Sequence, residues 1–297
     1  MKNKPFISIL IPTLERYQSI NELVNQLIEQ SYSSFEIIIV DQSKQENQLL
    51  QDLQKENQKI KYFKIERVGT CLAKNFGIKK ASGEIIIFMD DDCRVENPDF
   101  IQHHVSNYDD LKIAGVGGRL IDKNTHLNRE TTGPVCRVSK TGRIFPNANS
   151  DIKQEINAPR GGNMSFRRSV IFEVGGFDER LIGNAMREET DFSLRVVEAG
   201  YKIIFEPRAD NIHLALAGGT RSPNRIKWYF DFFHNEILFF LKHFPKIYLP
   251  ILFFRKLRPV LVCMFYYGKG KPRALATPFL GFRSGYRAYL KKETRWL

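Results

Sequence analysis

Three apolar runs limit the fold more than anything else in the chain: FISILIP at 6–12, FEIIIVD at 35–41 and EIIIFM at 84–89. Each is short, β-branched and apolar at nearly every position, so each reads as a strand buried on both faces. Between them the spacing turns helical. INELVNQLIEQ (20–30) places Ile20, Leu23, Val24, Leu27 and Ile28 on one face, and QENQLLQDLQKENQ reads as an exposed helix. IKYFKIE (60–66) is a further strand, and GTCLAKNFGIKKASG (69–83) a helix that stops at Gly83. Alternating helices and fully buried strands predict a parallel sheet covered by helices. In such sheets ligands bind beyond the carboxyl ends of the strands. Thr13, Asp41, the Gly69 loop and the triplet Asp90, Asp91 and Asp92 all fall there.

The second half is less regular. Residues 122–158 are polar with little periodicity and read as a long loop region. GGNMSFRRSVIFEVGGFDE (161–179) reads as a short strand, a helix and a glycine turn. EETDFSLRVVEAG (188–200) is a helix ended by Gly200, and YKIIFEP (201–207) a strand, with His213 in the loop after it. From residue 220 onward 16 Lys/Arg stand against 3 Asp/Glu, while residues 1–219 carry 29 against 30. The net charge of +12 therefore belongs to the tail. Phe233, Ile237, Phe240, Leu241 and Phe244 recur there at helical spacing. With the basic excess they predict an amphipathic helix on an anionic membrane surface, the alternative being a helix packed on the preceding domain. The start of the chain lacks the pattern of a signal peptide, and no uninterrupted apolar run of about 20 residues reads as a membrane span. Cys71, Cys93, Cys136 and Cys263 have neither disulfide-framework nor metal-ligand spacing, which fits a reducing cytosol. No nucleic-acid-binding signature accompanies the basic residues, so nucleic acid is not an expected partner.

Three adjacent carboxylates repel one another unless a cation or a set of donors holds them. On an extended strand Asp90 and Asp92 point the same way, making a hard oxygen site suited to Mg²⁺ or Mn²⁺ with a diphosphate. Asp91 then turns elsewhere or meets the nucleotide sugar.

ISILIPTLERYQSINELVNQLIEQSYSSFEIIIVDQS, GTCLAKNFGIKKASGEIIIFMDDDC, GGNMSFRR, GGFDE and EETDFSLRVVEAGY, in that order over residues 6–205, resemble a bacterial family 2 glycosyltransferase. The resemblance implies an α/β protein with the GT-A fold, its mostly parallel nucleotide-binding sheet flanked by helices. Residues 1–219 would form that domain, with a nucleotide-binding half to about residue 120 and an acceptor half over 121–219. Residues 220–297 would form the basic, aromatic-rich helical tail. The implied activity is inverting hexosyl or deoxyhexosyl transfer from a nucleoside-diphosphate sugar, UDP- or dTDP-linked in preference to GDP-linked, with Mn²⁺ or Mg²⁺ as cofactor. The acceptor would be a glycan or a lipid-linked one in surface polysaccharide synthesis, at the cytoplasmic face of the plasma membrane.

By the same resemblance Pro12 and Thr13 border the base, Arg16 faces the base or a phosphate, and Asp41 accepts a hydrogen bond from a uracil-type ring. Glu15 and Gln42 depart from the family pattern. Lys74 and Asn75 lie near the nucleotide, Asp90 or Asp91 bonds ribose, and Asp92 holds the metal with Asp90 and His213 beside it. Gly161, Gly162, Asn163 and Glu188 lie near donor sugar and acceptor. Glu189 is the catalytic base, with Asp191 the alternative. A metal-dependent nucleotidyltransferase and a non-catalytic membrane or nucleic-acid binder are the competing readings; the first lacks a basic, glycine-rich signature near the N-terminus.

Overall fold

β-Branched side chains favour extended backbone and pack well on both faces of a sheet, and the first four strands assemble accordingly. In the computed structural model, which describes residues 4–123, 133–269, 272–291 and 296–297, β1 (Ile7–Thr13), β2 (Phe35–Asp41), β3 (Ile60–Lys64) and β4 (Ile85–Met89) are parallel in the order β3-β2-β1-β4. Every residue of β2 and β4 is buried. α1 (Tyr17–Ile28), α2 (Gln48–Glu56) and α3 (Thr70–Lys80) make the crossovers.

Beyond β4 the sheet reverses. After β5 (Cys93–Arg94) and α4 (Phe100–Val105) comes β6 (Ile113–Asp122), and β10 (Asn163–Arg167) inserts antiparallel between β4 and β6. α5 (Arg168–Val174) and α6 (Glu188–Glu198) lead to β11 (Lys202–His213), which runs parallel to β6 and ends antiparallel to β5. β9 (Gln154–Ile156) pairs with the start of β11, while β7 (Arg137–Val138) and β8 (Ile144–Phe145) form a separate ribbon. These directions bring the C-terminal ends of β1, β4, β6 and β11 and the N-terminal end of β10 to one edge.

The expected α/β architecture is present, with three differences. Segment 122–158, expected as a loop, carries β7, β8 and β9, and residues 124–132 lie outside the described residues. β11 is longer than expected and reaches His213, which therefore sits on a strand end. α3 stops at Lys80, and Gly83 serves a different purpose: a Cβ there would lie 2.4 Å from the backbone nitrogen of Ser8. Glycine lets the chain pass against β1.

The tail forms α7 (Arg225–His243), α8 (Leu249–Leu261) and α9 (Pro272–Leu290), with a π-helical stretch Val262–Tyr267 following α8. Phe233, Ile237, Phe240 and Leu241 of α7 are all buried in protein, so the face expected to meet a bilayer is not a free surface. α9 packs along α7. Lys242 Nζ lies 2.7 Å from Asp178 Oδ2 and 2.6 Å from Asp191 Oδ1, and His243 Nε2 lies 2.9 Å from Asp191 Oδ1. Arg180 and Arg195 complete the cluster.

Burial alone would push both carboxyls up. Arg180 and Lys242 outweigh it at Asp178, and Arg195, His243 and Lys242 outweigh it at Asp191, so both are held below the usual carboxylate range. Removing one partner of a buried cluster leaves uncompensated charge, so Lys242→Met should lower stability by about 3–5 kcal/mol, read as a drop in Tm. Because the folded pKa values are depressed, this contribution is full above the unfolded value of about 3.9 and is lost as pH falls below it. Thermal scans should show a gap between wild type and variant that narrows as the pH is taken well into acid.

Candidate active site

β4 ends at Met89, and Asp90, Asp91 and Asp92 form a turn before β5. The alternation expected of an extended strand is thus not what groups them. β5 pairs with the end of β11 in the register His213↔Cys93, and this pairing carries the imidazole to the acidic turn. One ligand atom each from Asp90, Asp92 and His213 lie within 4.8 Å of one another.

The three carboxylates have different surroundings. Asp91 accepts from Thr13 Oγ1 at 2.8 Å, from Leu14 N at 3.4 Å and from Arg16 Nη1 at 2.6 Å. Burial pushes it up to about 6 against the pull of Arg16. Asp92 lies 3.1 Å from Arg16 Nη1 and 3.6 Å from His213 Nε2, and its Oδ2 accepts from Leu216 N at 3.1 Å. Arg16 also donates to the carbonyls of Leu216 and Ala217, so it pins segment 214–217 over the turn. Asp90 faces the 160s loop: a Cβ on Gly162 would lie 2.8 Å from Asp90 Oδ2.

The other side of that glycine step meets α6. A Cβ on Gly161 would lie 3.4 Å from Glu188 Oε1 and 3.6 Å from Glu189 Cβ. Glu188 and Lys74 form a buried ion pair, and Glu188 Oε2 has no hydrogen-bond partner. Burial holds the Glu188 carboxyl above its usual range, with Lys74 pulling against it. Glu189 is half-buried on the next helical position.

A cleft of about 510 Å³ opens at this edge. It brings together Pro12, Thr13, Arg16, Asp90, Asp91, Asp92, Gly161, Gly162, Glu188, Glu189 and His213. Five expected site residues lie off it. Lys74 stands behind Glu188. Asp41 is buried between Ser43 N at 2.7 Å and Tyr62 Oη at 2.5 Å. Asn75 bonds the backbone of Phe177 in both directions, and Asn163 bonds His104 and the carbonyls of Arg119 and Ala209. Asp191 is fully buried in the Lys242 cluster.

Sequence reasoning missed Asp122, Arg160, Arg187, Arg221 and the Gly218–Gly219 turn, all of which line the cleft. Arg160 directly precedes the glycine pair and could have been found from it; Arg187 and Arg221 sit in segments without periodicity. Gln42, noted only as a departure from the pattern, also lines the cleft, and its Oε1 accepts from Gly69 N at 2.6 Å.

Two carboxylates and one imidazole, converging at a cleft edge, make a mainly hard donor set that fits Mn²⁺ or Mg²⁺ with further positions left to water and phosphate oxygens.

The surroundings of this site can be set beside known proteins. Residues 8–175 match the model of Glycosyl transferase family 2. Glycosyltransferase AglE of Haloferax volcanii is 25% identical over 209 residues, which cover 68% of this chain and 64% of AglE. The matched chain thus spans under two thirds of that relative. The GalNAc(5)-diNAcBac-PP-undecaprenol beta-1,3-glucosyltransferase of Campylobacter jejuni is 29% identical over 136 residues, 43% of each chain. Among solved structures, the mannosyltransferase PcManGT from Pyrobaculum calidifontis, in complex with GDP-Man and Mn²⁺, superposes with a TM-score of 0.60 at 18% identity, covering 97% of this chain and 76% of that one. TarS 1-349 of S. aureus gives 0.55 at 20%, covering 97% and 75%. At such identities the structures speak for the fold alone, and that fold is GT-A. With its family model matched over more than half its length, the chain belongs to glycosyl transferase family 2.

Proposed function

We propose that this protein is an inverting glycosyltransferase that moves a sugar from a nucleoside-diphosphate donor to a glycan or lipid-linked acceptor in surface polysaccharide synthesis. The observation that carries the reading is the Gly161–Gly162 pair: a Cβ on Gly161 would meet Glu188 and Glu189, and one on Gly162 would meet Asp90, so a candidate base and the acidic turn border the same glycine pair at one cleft. A base and a diphosphate-binding site at one cleft is what a single in-line displacement needs.

Asp92, Asp90 and His213 would hold Mn²⁺ or Mg²⁺, which supplies charge stabilisation for a departing diphosphate. Arg160 and Arg221, also on the cleft, add positive charge for the same group. Asp91 is tied to Thr13 and Arg16, an arrangement that leaves Asp90 the freer carboxylate for ribose or metal. Glu189 takes the proton from the acceptor hydroxyl as its oxygen bonds the anomeric carbon. The carbon–oxygen bond to the diphosphate breaks and its electron pair leaves with the diphosphate, inverting the centre. Asp191 is a poorer base, since its oxygens already face Arg195, Lys242 and His243. Lys74 acts indirectly, by neutralising Glu188 next to the base.

The donor is UDP- or dTDP-linked in this reading, and the enzyme works at an anionic membrane surface on the cytoplasmic side. Four free, buried cysteines suit a reducing compartment. No helix among the described residues is long and apolar enough to cross a membrane.

A thermal-shift panel of nucleoside diphosphates and nucleotide sugars, with and without Mn²⁺, tests the donor: selective binding to the native state raises Tm, and a uridine or thymidine sugar should stand out. Asp92→Asn should cut Mn²⁺-dependent donor hydrolysis by about a hundredfold or more, and a chelator should do the same reversibly to wild type. Unchanged hydrolysis would remove the metal assignment. Glu189→Gln should lower kcat for transfer by about 10²–10⁴ with donor binding retained. If instead Glu189→Gln transfers normally, the base lies elsewhere.

A further inference from the structure

The sequence pointed to α7 as the membrane-facing element, and the fold buries that face. What it leaves exposed lies one layer further out. On α8 and the stretches flanking it, Ile247, Ile251, Phe254, Leu257, Leu261 and Phe265 are all exposed, Phe254 at 79% and Phe265 at 64%. Their steps of three or four residues hold them to one side of a helix. α9 repeats the pattern with exposed Leu275, Phe279, Tyr286 and Leu290. The two helices share one platform, since Leu252, Phe282 and Tyr289 pack with α7 in one cluster and the rings of Phe253 and Phe282 are 5.1 Å apart. So large a set of exposed aromatic and branched side chains on adjacent helices is uncommon on a surface that meets only water.

Charge narrows the occupant. Residues 237–292 contain 12 Lys/Arg and no Asp or Glu. Lys242 and Lys256 are used internally, on Asp191 and Glu236, but Arg258, Arg283 and Arg287 are exposed and form no ion pair with a described residue. An apolar face rimmed by cations with no acidic residue suits an anionic bilayer, in which apolar side chains enter the acyl boundary and the cations stay at the headgroups. A second copy of this chain would place like charges opposite each other.

We propose that the outer faces of α8, the π-helical stretch after it, and α9 form a docking surface for an anionic lipid bilayer. The proposal deepens the reading above, on which its biological use rests, by naming the surface that meets the membrane. It also ties that surface to the cleft. Lys256, on the inner side of α8, lies 2.7 Å from Glu236 Oε2, and Glu236 Oε1 in turn accepts from Arg187 Nε at 2.8 Å. Arg187 lines the cleft immediately before Glu188. The docked helix and the cleft rim are joined by three side chains.

Flotation of the full chain decides the matter, using vesicles of phosphatidylcholine alone or mixed with phosphatidylglycerol. Wild type should float with the mixed vesicles and much less with the neutral ones. Phe254→Glu combined with Phe265→Glu should cut the bound fraction about tenfold with Tm unchanged, since both side chains are exposed. Arg258→Gln with Arg283→Gln and Arg287→Gln should weaken binding and flatten its dependence on salt. Wild type that fails to float, or a phenylalanine variant that floats as well as wild type, overturns the proposal. So does sedimentation showing a wild-type dimer that the phenylalanine variant dissolves, because the face would then cover a second copy. Mn²⁺-dependent binding of nucleotide sugars, measured without vesicles, reports on the transferase reading separately: its loss with flotation intact would sink that reading and leave the docking surface standing.

Discussion

The acidic turn after β4 exists because Arg16 and the end of β1 neutralise it. Three carboxylates in sequence, at the end of a fully buried strand, would repel each other and pay the full cost of desolvation. One guanidinium nitrogen lies within 3.1 Å of both Asp91 and Asp92, and Asp91 accepts two further bonds from Thr13 and Leu14. Asp91 is thereby turned inward as an anchor, Ser19 Oγ donates to its carbonyl, and the chain on either side is left to present Asp90 and Asp92. The same arginine holds segment 214–217, so the entry strand, the acidic turn and the segment following His213 are fixed together. A charge cluster that looks costly in sequence is the point at which three distant pieces of chain are joined.

β1, β2 and β4 are legible because they obey one rule, burial on both faces, whereas the edge strand β3 is buried only at Ile60 and Tyr62. β6 was not legible, and its glycines are the reason. IAGVGGRLID lacks the side chains by which a strand declares itself, yet a Cβ on Gly115 would lie 2.4 Å from the Phe166 ring, and one on Gly118 would lie 2.2 Å from the carbonyl of Ala209. The space belongs to neighbours that arrive from elsewhere in the chain, which a local pattern cannot see. β11 reads short because Pro207 looks like an ending, whereas the strand shifts register against β6 between Glu206 and Asp210 and continues to His213. That continuation sets the register against β5 and with it the place of the histidine.

The tail shows what amphipathicity leaves undecided. Periodicity says that a helix has an apolar face; only packing says what covers it. On α7 the cover is the protein, and part of the tail's positive charge is spent inward on Asp178, Asp191 and Glu236. Net charge by segment therefore overstates the charge available to a partner, although Arg258, Arg283 and Arg287 on the two outer helices are not used this way.

α7 also reaches the site more directly than composition implied. Asn235 exchanges two hydrogen bonds with the backbone of Ile182, Glu236 holds Arg187, and the Asp231 carboxylate sits where a Cβ on Gly183 would be, 2.5 Å away. The loop 182–187 has no strand to brace it, and Ala185 and Arg187 adopt left-handed backbone at φ 47° and 88°. Such conformations cost free energy in any residue with a Cβ and persist where surrounding contacts over-determine them. Across the cleft, Ala215 takes φ 54° in the segment pinned by Arg16. Both unladdered walls of the cleft are thus held by side chains, one by the tail helix and the other by the acidic turn. Local sequence spacing carries no signature of that kind of support. The strand ends that bear the carboxylates could be read from the sequence, while the loops that shape the cavity around them could not.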